Sequence, residues 1–341
     1  MNLKISPLAY INKIKDDYVV GFGSKQDIID EILYNKIKGL LSYIDKENDL
    51  NRVKKYLSYN NLSIDLLSYC FEKKLITSDN FSCYEEDFIY KNLLYLSTYF
   101  SQPLKIINEI MNMTFVFIGC GGIGSHMAYS LASYKPVKII LIDHDKVSAT
   151  NLNRQFLFEK SDIGKFKTDV IKEKLEKRFN GNYISINKEF TLGMQDDYFT
   201  SIDNAFLIVS GDSNNLVKDA SILSNKMNIP SLNVGYLDDI SCIGPFFIPG
   251  KTYCPLCGDI GSSYNDEFEK EVRFINTNYE SPASYPNCAI ASSMAIVDIF
   301  HYLNGDLNKV NSINKRIGIS NFNFEKLELD IVKKDKCLVC G

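Results

Sequence analysis

The chain has no apolar run approaching the roughly 20 residues that a membrane-spanning helix needs. Its opening stretch, MNLKISPLAYINKIKDD, is broken by charges, so neither a signal peptide nor an anchor is expected. A strong charge of one sign is also missing. Lysines and arginines number 38 against 42 acids, and the net charge of -4 offers no general attraction to nucleic acid or an anionic membrane. No internal repeat and no low-complexity tract occurs. The expectation is a cytoplasmic protein with no nucleic-acid and no membrane partner.

What is present is 341 residues with 45% hydrophobic and 23% charged content, enough for a large core plus a smaller module. Of nine cysteines, four form two C-x-x-C pairs, Cys254/Cys257 and Cys337/Cys340. The others (Cys70, Cys83, Cys120, Cys242, Cys288) lack pairing spacings and are expected to behave as small hydrophobes.

Residues 1–85 read as a separate module. LAYINKIKDDYVVGF has the alternation of one or two short strands, and helical patterns follow in KIKGLLSYI, DLNRVKKYLSY and SIDLLSYCFEKKLI, with Ser63 as an N-cap. Strands with three short helices are winged-helix-like. Acids and bases are nearly balanced and no helix carries a basic stripe, which favours docking of a peptide on an exposed sheet edge over DNA binding. Residues 86–341 read differently. TFVFIG, KIILID, AFLIVSG and PSLNVGY are strand-like, with IGSHMAYSLASY, KTDVIKEKLEKRF and NNLVKDASILSNKMN as helices between them. This alternation predicts an α/β, Rossmann-like domain with a mostly parallel sheet covered on both faces.

Gly119-Cys-Gly121-Gly122-Ile-Gly124 satisfies G-x-G-x-x-G directly after a strand and before a helix. The glycines allow a tight turn, close approach of backbone to phosphate and close helix packing, and the helix N-terminus offers N–H groups to an anion. Asp143, ending the next strand, is placed to accept from ribose hydroxyls. The motif predicts a nucleotide without saying which. Arg154 and Lys167 follow shortly after; two fixed cations suit the β- and γ-phosphates of a triphosphate better than a nicotinamide cofactor, with Lys165 a weaker candidate. Asp212 follows AFLIVSG at the carboxyl end of a strand, where such sheets meet ligands, and also in N-cap position for the next helix. The C-x-x-C-G pairs at Cys254/Cys257 and Cys337/Cys340 match a closed four-thiolate structural zinc site.

GCGGIGS, LIDHDKV, NLNRQFLF, DIGKFK, SGDSNN and the paired C-x-x-C motifs together resemble the ThiF/MoeB/ubiquitin-activating superfamily. SLNVGYLDDI, GPFFIPGKTYCPLC, NKRIGI and the N-terminal module are similar to its MccB-like branch, the enzymes of ribosomal peptide antibiotic biosynthesis of the microcin C and pantocin A type. The resemblance implies an ATP-dependent adenylyltransferase acting on a carboxylate of a short ribosomal precursor peptide. That carboxylate is either the C-terminus or a glutamate side chain that then cyclises. It implies ATP contacts for Gly122, Asp143, Asn151, Arg154 and Lys167, Mg²⁺ on Asp212, and a homodimer. The family's arginine that reaches into the partner subunit's site corresponds here to Lys91, which supplies charge but no bidentate fork. Cys288, in the place of a thioester cysteine, has no His or Lys beside it in sequence and reads as buried rather than catalytic. Residues 262–287, with Arg273 and Tyr285, are where the substrate choices would be read. The alternatives are a ubiquitin-like sulfur carrier as substrate, a non-catalytic nucleotide-binding peptide receptor, and an NAD-dependent oxidoreductase.

Overall fold

The computed structural model describes residues 2–194, 204–211, 215–258 and 281–341. It divides into two compact units, Met1–Pro103 and Leu104–Gly341.

In the first unit, β1 (Lys4–Ile5) pairs antiparallel with β5 (Ile76–Thr77). Strands β2 (Ile11–Ile14), β3 (Asp17–Val20) and β4 (Asp27–Ile29) form a three-stranded antiparallel sheet. Helices α1 (Glu31–Ile44), α2 (Leu50–Tyr59) and α3 (Asp65–Glu72) lie between β4 and β5. Asp30 and Asp49 cap the first two helices by accepting N–H bonds from Leu33 and from Asn51 and Arg52. Ile37, Leu40, Leu41 and Ile44 recur at helical spacing and bury one face of α1 in a core with Val53, Leu57, Leu67 and Cys70.

Two expectations shift here. Ser63 sits one residue ahead of the cap: its hydroxyl accepts from the Asp65 N–H, 3.1 Å away, and α3 starts at Asp65. The helix also stops at Glu72 instead of running on through KKLI. Lys74 takes a left-handed φ of +54° and the Leu75 N–H closes on the Cys70 carbonyl, turning Ile76 into β5. Burial of Leu75 and Ile76 in the same core outweighs the helical pattern of the segment. Helix α4 (Ile89–Tyr99), on the far side of the sequence boundary at residue 85, lies within this first unit.

After α5 (Pro103–Met111), the second unit is built on an eight-stranded sheet of order β13-β12-β11-β10-β9-β6-β7-β8. Five of these are parallel: β6 (Thr114–Ile118), β7 (Lys138–Ile142), β8 (Tyr183–Ile186), β9 (Ala205–Val209) and β10 (Ser231–Leu237). An antiparallel extension, β11 (Ile240–Phe247), β12 (Lys315–Ser320) and β13 (Lys326–Asp330), continues it at one edge. Every residue of β6 and β9 is buried, as expected of central strands covered on both faces.

Crossovers are made by α6 (Gly122–Ala132), α7 (Lys167–Arg178) and α8 (Leu216–Met227), and α9 (Tyr285–Asn304) packs on α6, β10 and β11. Val116, Ile118, Leu207 and Val209 meet Leu216, Ala220 and Leu223 of α8. Because β6 pairs with β7 on one side and β9 on the other, the strand order reverses between β6 and β9. The crevice at the carboxyl ends of those strands is where an open sheet of this kind receives its ligand. No helix among the described residues is long and apolar enough to cross a membrane.

Candidate active site

The glycine loop leaves β6 at this reversal. Gly119 has φ +95°, and a side chain there would collide with the Gly211 backbone at the end of β9. A methyl on Gly124 would strike the Gly119 carbonyl oxygen, so the first turn of α6 lies directly on the loop. The Ser210 hydroxyl donates to that same carbonyl, 2.9 Å away, fastening the two strand ends together. The loop is therefore rigid, with the α6 N-terminus opening at Gly122.

Asp143, just beyond β7, accepts from the Cys120 N–H at 2.7 Å and from the Asp145 N–H at 2.8 Å. Asp145 in turn accepts from the Lys167 ammonium at 2.7 Å. Lys167 opens α7 and is only 6% exposed, so its charge is held at a fixed place beside the loop. Arg154 reaches the same place from another element: a Cβ on Gly122 would lie 3.6 Å from Arg154 Cγ. Its guanidinium donates to the Thr150 carbonyl and the Asn153 side chain, both at 3.0 Å. Asn151 is buried and accepts from the Ser148 N–H at 3.0 Å, shaping the turn that carries Arg154. Lys165 is turned away onto buried Asp162, 2.9 Å distant. Gly119, Gly121, Gly122, Gly124, Asp143, Asn151, Arg154 and Lys167 thus share one region.

Lys91 lies on α4 of the first unit with its ammonium over the Tyr90 ring, 5.8 Å from the centroid. Asp212 and Arg273 fall outside the described residues, while Tyr285 opens α9 and lies beside His126 and Phe156.

Two further residues join the cluster: Gln155, to which the sequence assigned no role, and Cys288, which is buried as expected. Gln155 is 2% exposed, its Nε2 lies 3.7 Å from a Cβ built on Gly121, and its buried Oε1 has no hydrogen-bond partner among the described residues. Its position beside Arg154 in NLNRQ was the available signal. Cys288 packs its sulfur directly on Gly122 and is 1% exposed. Burial pushes its thiol up to about 11, with Arg154 pulling weakly the other way, so the thiolate a nucleophile requires is scarce.

The four paired cysteines gather at the other end of β11, in a pocket with Phe247, Ile331 and Val339. Their sulfurs lie 3.3 Å (Cys254–Cys337), 3.4 Å (Cys257–Cys340), 3.5 Å (Cys254–Cys340) and 4.0 Å (Cys254–Cys257) apart. These separations exceed a disulfide bond but suit a zinc tetrahedron, whose edge is about 3.8 Å for ~2.3 Å bonds. Burial raises Cys254 and Cys257; against the same burial, the Cys340 and Val339 N–H groups draw Cys337 down to about 6. A metal here would supply cross-linking rather than chemistry, because four thiolates fill its coordination. The Asn225 side chain on α8 donates to the Val339 carbonyl at 2.7 Å, so the chain end is tied to the sheet's covering layer.

A strand-reversal crevice with a glycine loop, an acid at the end of the next strand and two fixed cations has the form of a Rossmann-like nucleotide-binding domain. The ThiF family profile matches residues 99–339, and the chain belongs to the ThiF family. The chain is similar to the SUMO-activating enzyme subunit uba-2 of Caenorhabditis elegans, 31% identical over 161 residues, which is 44% of this chain and 26% of that protein. It is also similar to the NEDD8-activating enzyme E1 catalytic subunit of Dictyostelium discoideum, 33% identical over 96 residues, 28% of this chain and 22% of that one. The chain thus spans about a quarter of the length of these curated relatives. Over its whole length it resembles the crystal structure of Escherichia coli MccB with MccA-N7isoASN, with TM-score 0.83, 26% identity and full coverage of both chains.

Proposed function

We propose that this chain is an ATP-dependent adenylyltransferase that activates a carboxylate of a short ribosomally made precursor peptide. Adenylation is the chemistry that ThiF membership and the whole-length likeness to MccB support, and MccB has been crystallised with ATP and with N-formylated MccA. The observation that carries the reading is the packing of Arg154 on Gly122. It sets a fixed cation where the α6 N-terminus opens, with Lys167 locked nearby.

In this reading the glycine loop and the α6 N-terminus hold the phosphates, and Asp143 takes the ribose hydroxyls. A substrate carboxylate oxygen attacks the α-phosphorus, the bond from that phosphorus to the bridging oxygen breaks, and pyrophosphate leaves. The attacking oxygen is already ionised near neutrality, so no protein base is needed. Arg154 and Lys167 offset the negative charge gathering on the departing pyrophosphate, which is the main task in phosphoryl chemistry. Magnesium, assigned to Asp212, would add to that neutralisation. Zinc on Cys254, Cys257, Cys337 and Cys340 is structural. The exposed β4 edge, with Ile28 71% exposed, suits strand addition by the peptide. The homodimer, with Lys91 serving the partner's site, belongs to the same reading.

The test is Mg²⁺-dependent exchange of labelled pyrophosphate into ATP, with and without short peptides. Arg154→Ala and Lys167→Ala should each lower peptide-dependent exchange by about 10²-fold or more, the size of losing one preorganised charge contact. Exchange that survives both changes would sink the assignment. Identity to the activating enzymes supports a second reading, a folded ubiquitin-like carrier as substrate. Exchange stimulated by such a carrier and not by peptides would favour it.

A further inference from the structure

The first unit contains a cavity of about 140 Å³ that the adenylation reading does not use. Its apolar walls include Leu8, Phe71, Phe81 and Phe100, and two charged side chains, Lys74 and Asp79, face it amid hydroxyl groups. Lys74 projects from the left-handed residue that terminates α3, so its direction is set by the backbone turn. The ammonium engages the Phe100 carbonyl oxygen at 2.9 Å rather than Asp79. Asp79 is held by its own N–H on the Thr77 hydroxyl, 3.0 Å away, and Lys74 is the charged neighbour that acts on its carboxyl group.

Both charges are uncomfortable in this setting. Burial lowers the Lys74 pKa, with Lys25 adding to the effect and Asp79 opposing it, and burial raises that of Asp79. Half-buried charges that do not close on each other keep much of their desolvation cost. A guest bearing both signs would relieve both. A cavity of this size accepts a molecule of about benzene's bulk, roughly six heavy atoms. Few biological molecules that small carry a cation and an anion together.

We propose that this cavity binds a small α-amino acid as its zwitterion, the carboxylate on Lys74, the ammonium on Asp79 and a short side chain against the phenylalanine rings. The site lies wholly within residues 1–103, and the proposal does not depend on the adenylation reading.

The experiment is ligand-observed NMR and calorimetric titration of the full chain with three probes: L-alanine, L-alaninamide, which lacks the carboxylate, and propionate, which lacks the amine. L-alanine should bind with a dissociation constant of about millimolar order, fitting for so few atoms. Each truncated probe should bind at least about tenfold more weakly, the loss expected for one charge-assisted contact. Lys74→Met and Asp79→Asn should each weaken L-alanine about tenfold, with circular dichroism confirming that the variants are folded. Equal binding of L-alaninamide would make this an amine or peptide-N-terminus site, and equal binding of propionate an anion site; either overturns the proposal. So would no L-alanine binding at tens of millimolar, or variants that bind as the wild type does. Because no arm uses ATP, failure here leaves the pyrophosphate-exchange test untouched.

Discussion

The Asp143 carboxylate accepts the Cys120 backbone N–H at 2.7 Å, which joins the end of β7 to the glycine loop leaving β6. The acid expected to meet the ribose therefore also sets the loop expected to meet the phosphates. An amide at this position keeps an acceptor for Cys120 but loses the charge, whereas alanine loses both. Asp143→Asn should weaken ATP binding about tenfold and Asp143→Ala about 100-fold, the span of hydrogen bonds to charged groups. Equilibrium titration with ATP checks the order; equal affinities for all three proteins would remove Asp143 from the site.

Gly122 and Cys288 provide a coupling test. A methyl on Gly122 runs into the Cys288 sulfur, and the Cys288 Cβ stands 3.3 Å from the same point. Gly122→Ala should therefore cost about 1–3 kcal/mol through overpacking. That corresponds to a Tm lower by about 2–4 °C per kcal/mol. Adding Cys288→Ala removes the sulfur and should restore a good part of the loss, a non-additivity of at least ~0.5 kcal/mol. Calorimetry of the four proteins reads the cycle directly. Strict additivity would mean that the contact is not the source of the strain.

Cys288 should also be chemically quiet. With its thiol pushed up to about 11 by burial, only about one molecule in a thousand carries the thiolate at pH 8. Folded protein treated briefly with iodoacetamide at that pH should label exposed Cys83 and spare Cys288, as peptide mass mapping would show. Raising the pH toward 11 increases the thiolate, so labelling of Cys288 should rise there even before unfolding. Cys288→Ala should retain peptide-dependent pyrophosphate exchange within about threefold, because adenylation needs no thiol. Rapid labelling at pH 8 together with loss of exchange would instead identify a reactive catalytic cysteine.

The cysteine quartet predicts one tightly held zinc per chain. Elemental analysis should find about one equivalent, and Cys257→Ser should abolish it along with several degrees of Tm. Removal by chelator should lower Tm in the wild-type protein and leave the Cys257→Ser Tm unchanged. Below the reduced Tm the affinity for ATP should be nearly preserved, since the quartet is filled by protein ligands. Protein free of zinc yet fully stable would contradict the structural role.

Much of this site was legible along the chain because its signals are short. TFVFIG followed by the glycines is one strand-to-helix turn, and the acid comes at the end of the next strand. Each C-x-x-C knuckle spans four residues. Local spacing, chemistry and propensity by themselves determined the Rossmann-like core, the glycine loop and the pairing of the four cysteines.

Other features depend on residues far apart in sequence, and only the tertiary structure decided them. Gly119 needs to be glycine partly because Gly211, just beyond β9, lies against it. Cys288 meets Gly122 from more than 160 positions away, and Gln155 becomes a buried neighbour of the loop only when its turn folds back. The antiparallel strands β11 to β13 extend the sheet through pairings that no parallel βα repeat announces. In the first unit, burial of Leu75 and Ile76 ends a helix that the pattern would continue. The physical reason is common to all five: periodicity reports which face of an element is apolar, but the neighbour that covers it is chosen by packing across the fold.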